Sequence, residues 1–531
     1  MSIARMHTLW VASKASLLIA TLIGLFLLHA AFYWRFVQDD TYISLRYARN
    51  LVAGHGLVFN VGERVEGISN VMYVLILAAF IRSGADPVLT AKAIGVASGV
   101  LLVALTVQLA RTVADGSNSR GILLPALFLV ISPAFALWAV MGLETLLYGL
   151  AIVLTVWCTI RCSERAIDSI GLGLLCGILP LIRPDGVVFF PVTVLWRWAL
   201  RHPRTSLRSV ATTSCAFLCV FGGFILWRFC YYGDLLPNTY YAKSGLGIAA
   251  PVRGGKYAFE FLRYYGGPAL LFFACMAFAT TTRRREITYL AFILIVYSAG
   301  IIAIGGDNMA QFRFFAPVLP LVYVLAARGA FVVLDLARMS GPWPRDVRQP
   351  VQASLLLTAI LMGLGIVVST ATLRVPALAR VGVDDPISDA RQLVKVGEWL
   401  ARIAPPESTI AVGEAGAIPY VTNWRTLDMF GLTDRAIAKA PRVIDARGVL
   451  KKDPQFVIAR ILSWNPDFVE FYAMPGFDTV LGPNDNLLWT ALMNSAYVPV
   501  PPYNKMNGVV IFARTDILSR LSIPIQSTES R

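Results

Sequence analysis

Long apolar runs without a charged residue recur throughout residues 1–373. A helix of about 20 apolar residues crosses the hydrocarbon core of a bilayer, and most of these runs have that length. We therefore predict a polytopic α-helical membrane protein with about eleven transmembrane helices. The clearest runs lie between Lys14 and Arg35, Lys92 and Arg111, Arg120 and Glu144, Glu144 and Arg161, Arg208 and Arg228, Arg263 and Arg283, Glu286 and Asp307, and Arg348 and Arg374; weaker runs cover about 169–183 and 187–200, and another follows Arg313.

The composition points to the same class of protein. Hydrophobic residues make up 56% of the chain and charged residues only 15%, whereas soluble proteins carry about 25% charged residues. The formal net charge is +15, but basic residues between apolar runs indicate membrane topology rather than a nucleic-acid partner. The sequence thus argues against a disordered chain, a disulfide scaffold and a soluble cytosolic enzyme, and it predicts a lipid bilayer as partner.

The positions of the basic loops predict which way the helices point. Residues 71–81 form an apolar run that is shorter than the roughly 20 residues needed to cross a bilayer. If this run lies along the outer face, the Arg-rich loops and the N-terminus all share the cytoplasmic side, as the positive-inside rule requires. We also expect the first apolar run to be an uncleaved helix rather than a signal peptide, because Asp39 and Asp40 follow it at once. The tail beyond residue 373 then lies outside the cytoplasm.

The tail, residues 374–531, differs in character from the rest of the chain. Charged residues are interspersed along it, and short apolar strands are expected at 409–412, 468–471 and 509–512. An amphipathic helix fits 387–403, and helical stretches fit 453–463 and 486–494. We therefore predict a transmembrane module over 1–373, whose first outer loop is 38–87, and an extracytoplasmic α/β domain over 374–531.

Polar residues cluster in the loops that this topology places on the outer face. Acids at a membrane boundary are costly unless they serve a paired or solvated site. Each one alone could be a solvated helix end, but five acid-bearing loops on one face predict a shared polar cavity, and Arg183 is expected to pair with an acid such as Asp185. The supporting residues of this predicted cavity are Arg46, Glu66, Glu144, Arg183, Asp185, Asp234, Asn238, Tyr240 and Asp307.

The adjacent acids Asp39 and Asp40 are the candidate catalytic residues. Neighbouring carboxylates raise each other's pKa, so that one of them can serve as a general base. The alternative is a solvated helix terminus. Lys243 and Arg313 lie in loops on the same predicted face and could bind the phosphate of a lipid-linked donor; the alternative for each is a cation that snorkels to the membrane surface.

Other chemistries have little support in the sequence. No Cys/His cluster has the spacing of a zinc site, and the nucleotide-binding and nucleophile-elbow motifs are absent from the sequence. We expect no required cofactor, although a divalent cation at Asp39 and Asp40 is left open. Because soluble nucleotides belong to the cytoplasm, a sugar donor used outside it should be lipid-linked.

Six ordered motifs carry a family resemblance. The chain resembles polytopic glycosyltransferases of the GT-C superfamily, and within it the mycobacterial arabinofuranosyltransferases that add terminal β-(1→2) arabinofuranose, with their bacterial relatives. The motifs are DDTYISLRYARNLVAGHGLVFNVGERVEGISN (39–70), MGLET (141–145), LIRPDG (181–186), YYGDLLPNTYYAK (231–243), GGDNMAQFRFFAPVLP (305–320) and AGAIPYVTNWRTLDMFGLTDRAIAK (415–439).

The resemblance implies a function for these residues. It implies juxtamembrane helices in the first outer loop, a polyprenyl-phosphate sugar as donor, a cell-envelope glycan or glycoprotein as acceptor, and a bacterial inner membrane as location. By analogy with related protein mannosyltransferases, Asp39 is the leading candidate base and Asp40 the supporting acid. A transporter of lipid-linked sugars and a non-catalytic envelope-assembly protein are the alternatives, and the sequence leaves the sugar, the linkage and the stereochemical outcome open.

Overall fold

The computed structural model of the chain describes residues 3–114, 121–200, 205–243, 249–265, 267–279, 283–307, 309–339, 390–444, 450–472, 484–500 and 509–521. The chain divides into two compact units. The first, here called the helical unit, comprises Met1–Arg35, Ala91–Leu226 and Ile248–Leu378. The second, here called the loop–sheet unit, comprises Phe36–Thr90, Trp227–Gly247 and Ala379–Arg531.

The first two-thirds of the chain is helical because its residues are predominantly apolar and uncharged over long stretches. Several helices are interrupted where proline or a polar residue falls, as at Ser132-Pro133 and after Ile182. The helices are α1 (Ile3–Phe32), α2 (Asp39–Val52), α3 (Val71–Arg82), α4 (Pro87–Val113), α5 (Leu124–Ile131), α6 (Pro133–Val140), α7 (Thr145–Arg161), α8 (Ala166–Ile182), α9 (Phe189–Leu195), α10 (Leu207–Phe217), α11 (Gly223–Tyr232), α12 (Asn238–Lys243), α13 (Ala249–Tyr264), α14 (Gly267–Met276), α15 (Arg284–Ala303) and α16 (Leu319–Met339).

Helices of membrane-spanning length are present in the described part of the chain. Four segments are long and apolar enough to cross a bilayer, or five if the bent pair α6–α7 counts as one span. They are Pro87–Val113, Leu207–Tyr232, Arg284–Ala303 and Ala316–Val333. The predicted span between Arg348 and Arg374 lies outside the described residues, and the count of eleven stays a prediction.

A sharp bend between α6 and α7 brings a polar residue to a helix start. The two helices meet at 117° across the segment 141–144. Gly142 adopts φ +85°, a left-handed conformation that residues with a side chain rarely take. The bend leaves Glu144 at the N-terminal end of α7.

The tail continues as alternating helices and short strands. Its elements are α17 (Arg391–Ile403), β1 (Thr409–Val412), α18 (Ala417–Thr422), β2 (Arg425–Asp428), α19 (Arg435–Ala438), β3 (Arg442–Ile444), β4 (Leu450–Lys452), α20 (Pro454–Trp464), β5 (Phe468–Tyr472), α21 (Asn484–Met493), β6 (Tyr497–Pro499) and β7 (Val509–Arg514).

These strands form a mixed sheet in the order β2-β1-β5-β7-β6. The strands β2, β1 and β5 run parallel, whereas β7 is antiparallel to both β5 and β6. The predicted strands at 409–412, 468–471 and 509–512 are confirmed, as are the helices predicted at 387–403, over its described residues, and at 453–463 and 486–494. An apolar core lies between the sheet and α20 and α21, which explains why these strands are almost continuously hydrophobic.

The first loop and the tail belong to the same compact unit. Helix α2 packs against both α3 and α18, and the backbone N–H of Ala390 donates to the carbonyl of Val37 over 2.9 Å. Helix α3 has only 12 residues, about 18 Å of helix, which is shorter than the hydrocarbon core of a bilayer. This length agrees with the prediction that residues 71–81 do not cross.

Candidate active site

Asp39 is the first residue of α2 and is completely buried within the loop–sheet unit. Its Oδ2 accepts a hydrogen bond from the backbone N–H of Gly416 over 2.9 Å, and its Oδ1 accepts one from Ala417 over 2.7 Å. Burial, reinforced by the charge of Asp40, raises the pKa of Asp39 to about 7, although the two N–H groups oppose the shift. The carboxyl group can therefore gain or lose a proton near neutral pH.

Gly416 is required by this contact. A Cβ atom on Gly416 would lie 2.1 Å from the backbone oxygen of Asp39 and 2.3 Å from its Oδ2. Neither atom belongs to a flexible side-chain end that could move away, because the carboxyl group is held by two hydrogen bonds. The glycine in the AGAIPY sequence thus lets the tail approach Asp39 closely enough for its N–H groups to reach the carboxylate.

Asp40 differs from Asp39 in its surroundings. It is only half-buried, and among the described residues its carboxylate makes no hydrogen bond or ion pair. Its oxygens are thus the ones in this acidic pair that remain open to an incoming hydroxyl group. The predicted pair therefore divides into an anchored carboxyl group and an accessible one.

Two acids from the tail that the sequence analysis did not single out accompany the pair. Glu470, in the middle of β5, is completely buried, and its Oε2 accepts from the N–H of Gly413 over 2.6 Å. Burial raises its pKa to about 7. Burial followed by the charge of Asp39 raises the pKa of Glu414 well above its ordinary value. A single acid within an otherwise apolar strand was the sequence signal for Glu470.

Arg46 joins the first loop to the tail through hydrogen bonds to neutral oxygen atoms. Its guanidinium is buried and donates to the carbonyls of Phe59 (2.8 Å), Pro419 (2.7 Å) and Trp424 (2.7 Å). A further bond reaches the side chain of Asn60. Burial lowers the pKa of Arg46 to about 9, so the group stays charged at neutral pH. Arg46 therefore stabilises the position of α2 rather than facing a ligand.

The other predicted residues of this unit are mostly paired. Glu66 forms a buried ion pair with Arg228 over 2.7 Å, and burial raises the pKa of Glu66 to about 7. Asp234 pairs with Lys439 over 2.8 Å. Asn238 donates to the carbonyls of residues 431 and 432, each over 2.8 Å. Asp234 and Asn238 therefore hold the segment 227–243 to the tail, and Glu66 holds it to the first loop.

Lys243 and Tyr240 are the exposed members of the predicted set. Tyr240 contacts the ring of Tyr241 edge to face. Lys243 ends α12, is exposed, and makes no ion pair with the described residues. Its ammonium group is thus available to an anionic ligand.

The remaining five predicted residues form a cluster inside the helical unit. Arg183 pairs with Asp185 over 3.0 Å, as predicted, and with Glu144 over 3.5 Å. Arg313 pairs with Asp307 over 2.8 Å. Both guanidinium groups lie over the ring of Phe314, at 4.4 and 5.1 Å. The convergence of this cluster and the loop–sheet acids on one cavity stays a prediction.

The loop that carries Arg313 has an unusual backbone. Gln311 and Phe312 have φ values of 52° and 51°, in the left-handed region that side chains other than glycine seldom occupy. The Oε1 atom of Gln311 accepts a hydrogen bond from the hydroxyl of Tyr265 over 3.0 Å, which helps to hold the conformation. Strain of this kind is found at ligand-binding sites more often than elsewhere.

A metal centre would need a cluster of ligating side chains among the described residues. No group of three or more His, Cys, Asp or Glu side chains among them is arranged to hold a metal ion. Both oxygens of Asp39 already accept backbone hydrogen bonds. A divalent cation at Asp39 and Asp40 stays a prediction.

Two sequence relatives and one family model match the chain. A family model described as "Domain of unknown function (DUF8728)" matches residues 385–506. The terminal β-(1→2)-arabinofuranosyltransferase of Mycobacterium tuberculosis is 30% identical over 272 residues, which cover 47% of this chain and 42% of the relative. The protein of the same name from Corynebacterium glutamicum is 27% identical over 351 residues, which cover 56% of this chain and 49% of the relative. The chain thus matches less than half of each relative's length.

Solved structures match over more of the chain. ArnT from Cupriavidus metallidurans in the apo state has a TM-score of 0.57 at 13% identity, covering 95% of this chain and 98% of that one. The same protein bound to undecaprenyl phosphate has a TM-score of 0.52 at 12% identity, and the match covers 94% of this chain and 98% of that one. The predicted class of a multi-pass helical membrane protein with a sheet-containing tail is confirmed. The chain has the fold of ArnT, and its sequence resembles those of the terminal β-(1→2)-arabinofuranosyltransferases.

Proposed function

We propose that this protein is a membrane glycosyltransferase that moves a sugar, arabinofuranose by resemblance, from a polyprenyl-phosphate donor to a cell-envelope glycan or glycoprotein. The observation that carries the proposal is the acidic pair at the start of α2, with one carboxyl group anchored and one accessible, in a chain with the GT-C fold. The arabinofuranosyltransferase relatives support the sugar, and the undecaprenyl phosphate bound to ArnT supports the donor class.

The acidic pair would supply the acid–base chemistry. The acceptor hydroxyl oxygen forms a bond to the anomeric carbon while the bond from that carbon to the phosphate oxygen breaks. The hydroxyl proton passes to a carboxylate of the pair, and the electron pair of the broken bond leaves with the phosphate. Asp40 offers the accessible carboxylate, and the pKa of Asp39 near 7 suits proton exchange at neutral pH. A general base of this kind contributes roughly 10²–10⁴-fold to the rate.

A cation is needed where negative charge develops on the departing phosphate. Lys243 is the stronger of the two predicted candidates, because it is exposed and makes no ion pair with the described residues. The charge of Arg313 is already offset by Asp307 over 2.8 Å. We therefore assign the donor phosphate to Lys243 first and to Arg313 second.

The orientation is part of the same proposal. The basic loops place the N-terminus in the cytoplasm and the tail outside it, in the bacterial inner membrane. Since the first loop and the tail share one compact unit, the acidic pair would act on the extracytoplasmic side. A lipid-linked donor is the form in which an activated sugar is available there.

Reconstitution tests the proposal against its alternatives. The purified full chain in detergent is given a synthetic polyprenyl-phosphate arabinofuranose and an oligoarabinoside acceptor, and extension of the acceptor is measured by mass spectrometry. Extension is expected. Movement of the donor lipid across a vesicle bilayer without extension would instead identify a flippase, and neither activity would favour an assembly protein.

A further inference from the structure

A cavity in the loop–sheet unit lies outside the acidic pair. It has a volume of about 670 Å³, within the range of small-ligand pockets. Its walls come from the first loop at residues 63–65, from β2, from the segment around α19, and from the end of α20. Four parts of the chain that are distant in sequence thus build one concave surface.

The side chains that line the cavity carry a surplus of positive charge. Arg64, Arg435, Lys439 and Arg460 line it together with only two acids. Both acids are already engaged: Glu63 pairs with Arg425 over 2.6 Å, and Asp434 caps α19 and pairs with Arg460 over 3.3 Å.

Two of the four cationic side chains have hydrogen-bond donors without a partner among the described residues. The guanidinium of Arg64 lies 4.8 Å from the ring of Tyr231, and its side chain makes no hydrogen bond or ion pair among the described residues. Arg460 lines the cavity with a side chain that is 36% exposed, and in the same part of the chain only one of its guanidinium nitrogens has a hydrogen-bond partner, Asp434. Arginine presents its donors in a fork that matches phosphate and carboxylate oxygens. The cavity therefore has unfilled hydrogen-bonding capacity for an anion.

An aromatic wall adds a second element of recognition. Trp464 lines the cavity and is half-buried. A flat aromatic ring gives apolar contact area with a polar edge, which suits the mixed surface of a sugar. A concave surface built from four chain segments contacts a discrete ligand from several sides, whereas binding to a lipid surface would be expected from an exposed apolar or cationic face. These features favour a glycan as occupant.

We propose that this cavity is a binding subsite for an anionic acceptor glycan, a saccharide that bears a phosphate or carboxylate group. The anionic group would be bound by Arg64 and Arg460, and the sugar ring would contact Trp464. The inference rests on the proposed function and deepens it by naming the acceptor class. Strand β2 borders the subsite and contacts α2, the helix that begins with the acidic pair: Thr426 lines the cavity, and its Oγ1 lies 3.4 Å from a guanidinium nitrogen of Arg46.

Binding measured without donor tests this subsite independently of catalysis. Fluorescent mannopentaose carrying one phosphomonoester and its neutral parent are titrated into the full chain in detergent, at low and high salt. The phosphorylated probe should bind more tightly than the neutral one, and high salt should reduce that difference. Arg64→Gln should weaken the phosphorylated probe about ten- to hundredfold and leave the neutral probe unchanged.

One control variant and one second variant test whether the effect of Arg64→Gln is specific to the cavity. Arg402→Gln removes an equally exposed charge from α17 and should leave both probes unaffected. Arg460→Gln should reproduce the Arg64→Gln effect through a second residue, and an unchanged melting temperature shows that each variant is folded. Equal binding of the two probes, or equal losses in Arg64→Gln and Arg402→Gln, would overturn the subsite.

The choice of a glycan over a membrane surface has its own test. Vesicles containing phosphatidylglycerol are compared with the phosphorylated probe on the same variants. The glycan assignment is wrong if Arg64→Gln reduces vesicle binding and leaves the phosphorylated probe unchanged. Transfer to an acceptor without an anionic group, with no preference for the phosphorylated one, would overturn the subsite while leaving the proposed glycosyltransferase intact.

Discussion

The two compact units handle buried charge in different ways. In the helical unit, Arg183 and Arg313 meet acids in direct ion pairs, and both guanidinium groups lie over the ring of Phe314. In the loop–sheet unit, Asp39 and Glu470 are met by backbone N–H groups instead of cations. The first arrangement offsets each charge with an opposite one, whereas the second leaves carboxyl groups able to take up protons near neutral pH.

This difference bears on function. A buried acid whose pKa is close to the working pH can act as an acid or a base, and such groups are concentrated at functional sites. A balanced ion pair in a membrane domain chiefly fixes the positions of its helices and loops. We therefore expect substitutions in the loop–sheet acids to change chemistry, and the predictions below probe that expectation.

The largest effect is expected at the acidic pair. Asp40→Asn should reduce transfer by roughly 10²–10⁴-fold without loss of stability, because Asp40 makes no hydrogen bond among the described residues. Asp39→Asn should also reduce transfer, and it should lower stability as well, since an amide can accept one of the two backbone bonds but not both. Initial rates and melting temperatures of both variants are measured.

Glu407→Gln is the control for these variants, because Glu407 is an exposed acid of the same unit and its removal should change neither quantity. Full activity in both aspartate variants would refute the catalytic assignment. Loss of activity in Asp39→Asn alone, at unchanged stability, would identify Asp39 as the base.

Arg46 should dominate the stability of the loop–sheet unit. Arg46→Gln removes charged donors from the carbonyls of Pro419 and Trp424, and each such bond contributes about 1.5–3 kcal/mol. The free energy of opening of this unit should fall by about 3 kcal/mol, measured as lost hydrogen-exchange protection in β1 and β2. Arg402→Gln, at an exposed site on α17, should leave that protection unchanged, and equal loss in both variants would contradict the assigned role.

Lys243 should affect the donor more than the acceptor. Lys243→Ala removes a charge-assisted contact worth about 1.5–3 kcal/mol, so kcat/KM for the donor should fall roughly ten- to hundredfold. Lys395→Ala, an exposed lysine on α17, serves as control. Initial rates are measured with donor and acceptor varied separately. A fall in kcat/KM for the acceptor alone would show that Lys243 does not bind the donor phosphate.

The smallest expected effect is the dependence of the stability of the loop–sheet unit on pH. Burial raises the pKa of Asp39, Glu66 and Glu470 to about 7, above their values of about 4 in the unfolded chain. Their contribution to stability is therefore fully present below about pH 4 and is lost as the pH rises through about 7. Each group lowers the free energy of opening by up to about 1.4 kcal/mol per pH unit within that window.

Exchange protection in β5, corrected for the intrinsic exchange rate, measures this dependence. Glu470→Gln should make the dependence on pH shallower because it removes one titrating group. Protection that rises with pH over the same window would mean that these carboxyl groups are ionised when the unit is folded, and it would remove the contrast with the helical unit.

The sequence predicted the local elements of this protein well. Apolar runs identified helices such as α4 and α15, and three short apolar segments identified strands β1, β5 and β7. These predictions depend on the spacing and type of neighbouring residues, which set backbone conformation and burial within one element. The pairing of Arg183 with Asp185 was predicted for the same reason, since the two residues are two positions apart.

The tertiary structure decided what the sequence could not. No local signal indicated that Gly416 and Ala417 would bind the carboxylate of Asp39, 377 and 378 residues away. The backbone of the predicted tail domain supplies the partners of Asp39 and Arg46, so deleting 374–531 should remove the site and not only acceptor binding. Sequence patterns determine which residues form a helix or a strand. Which buried acid receives a backbone N–H in place of a cation depends on contacts between distant segments, and only the folded chain contains them.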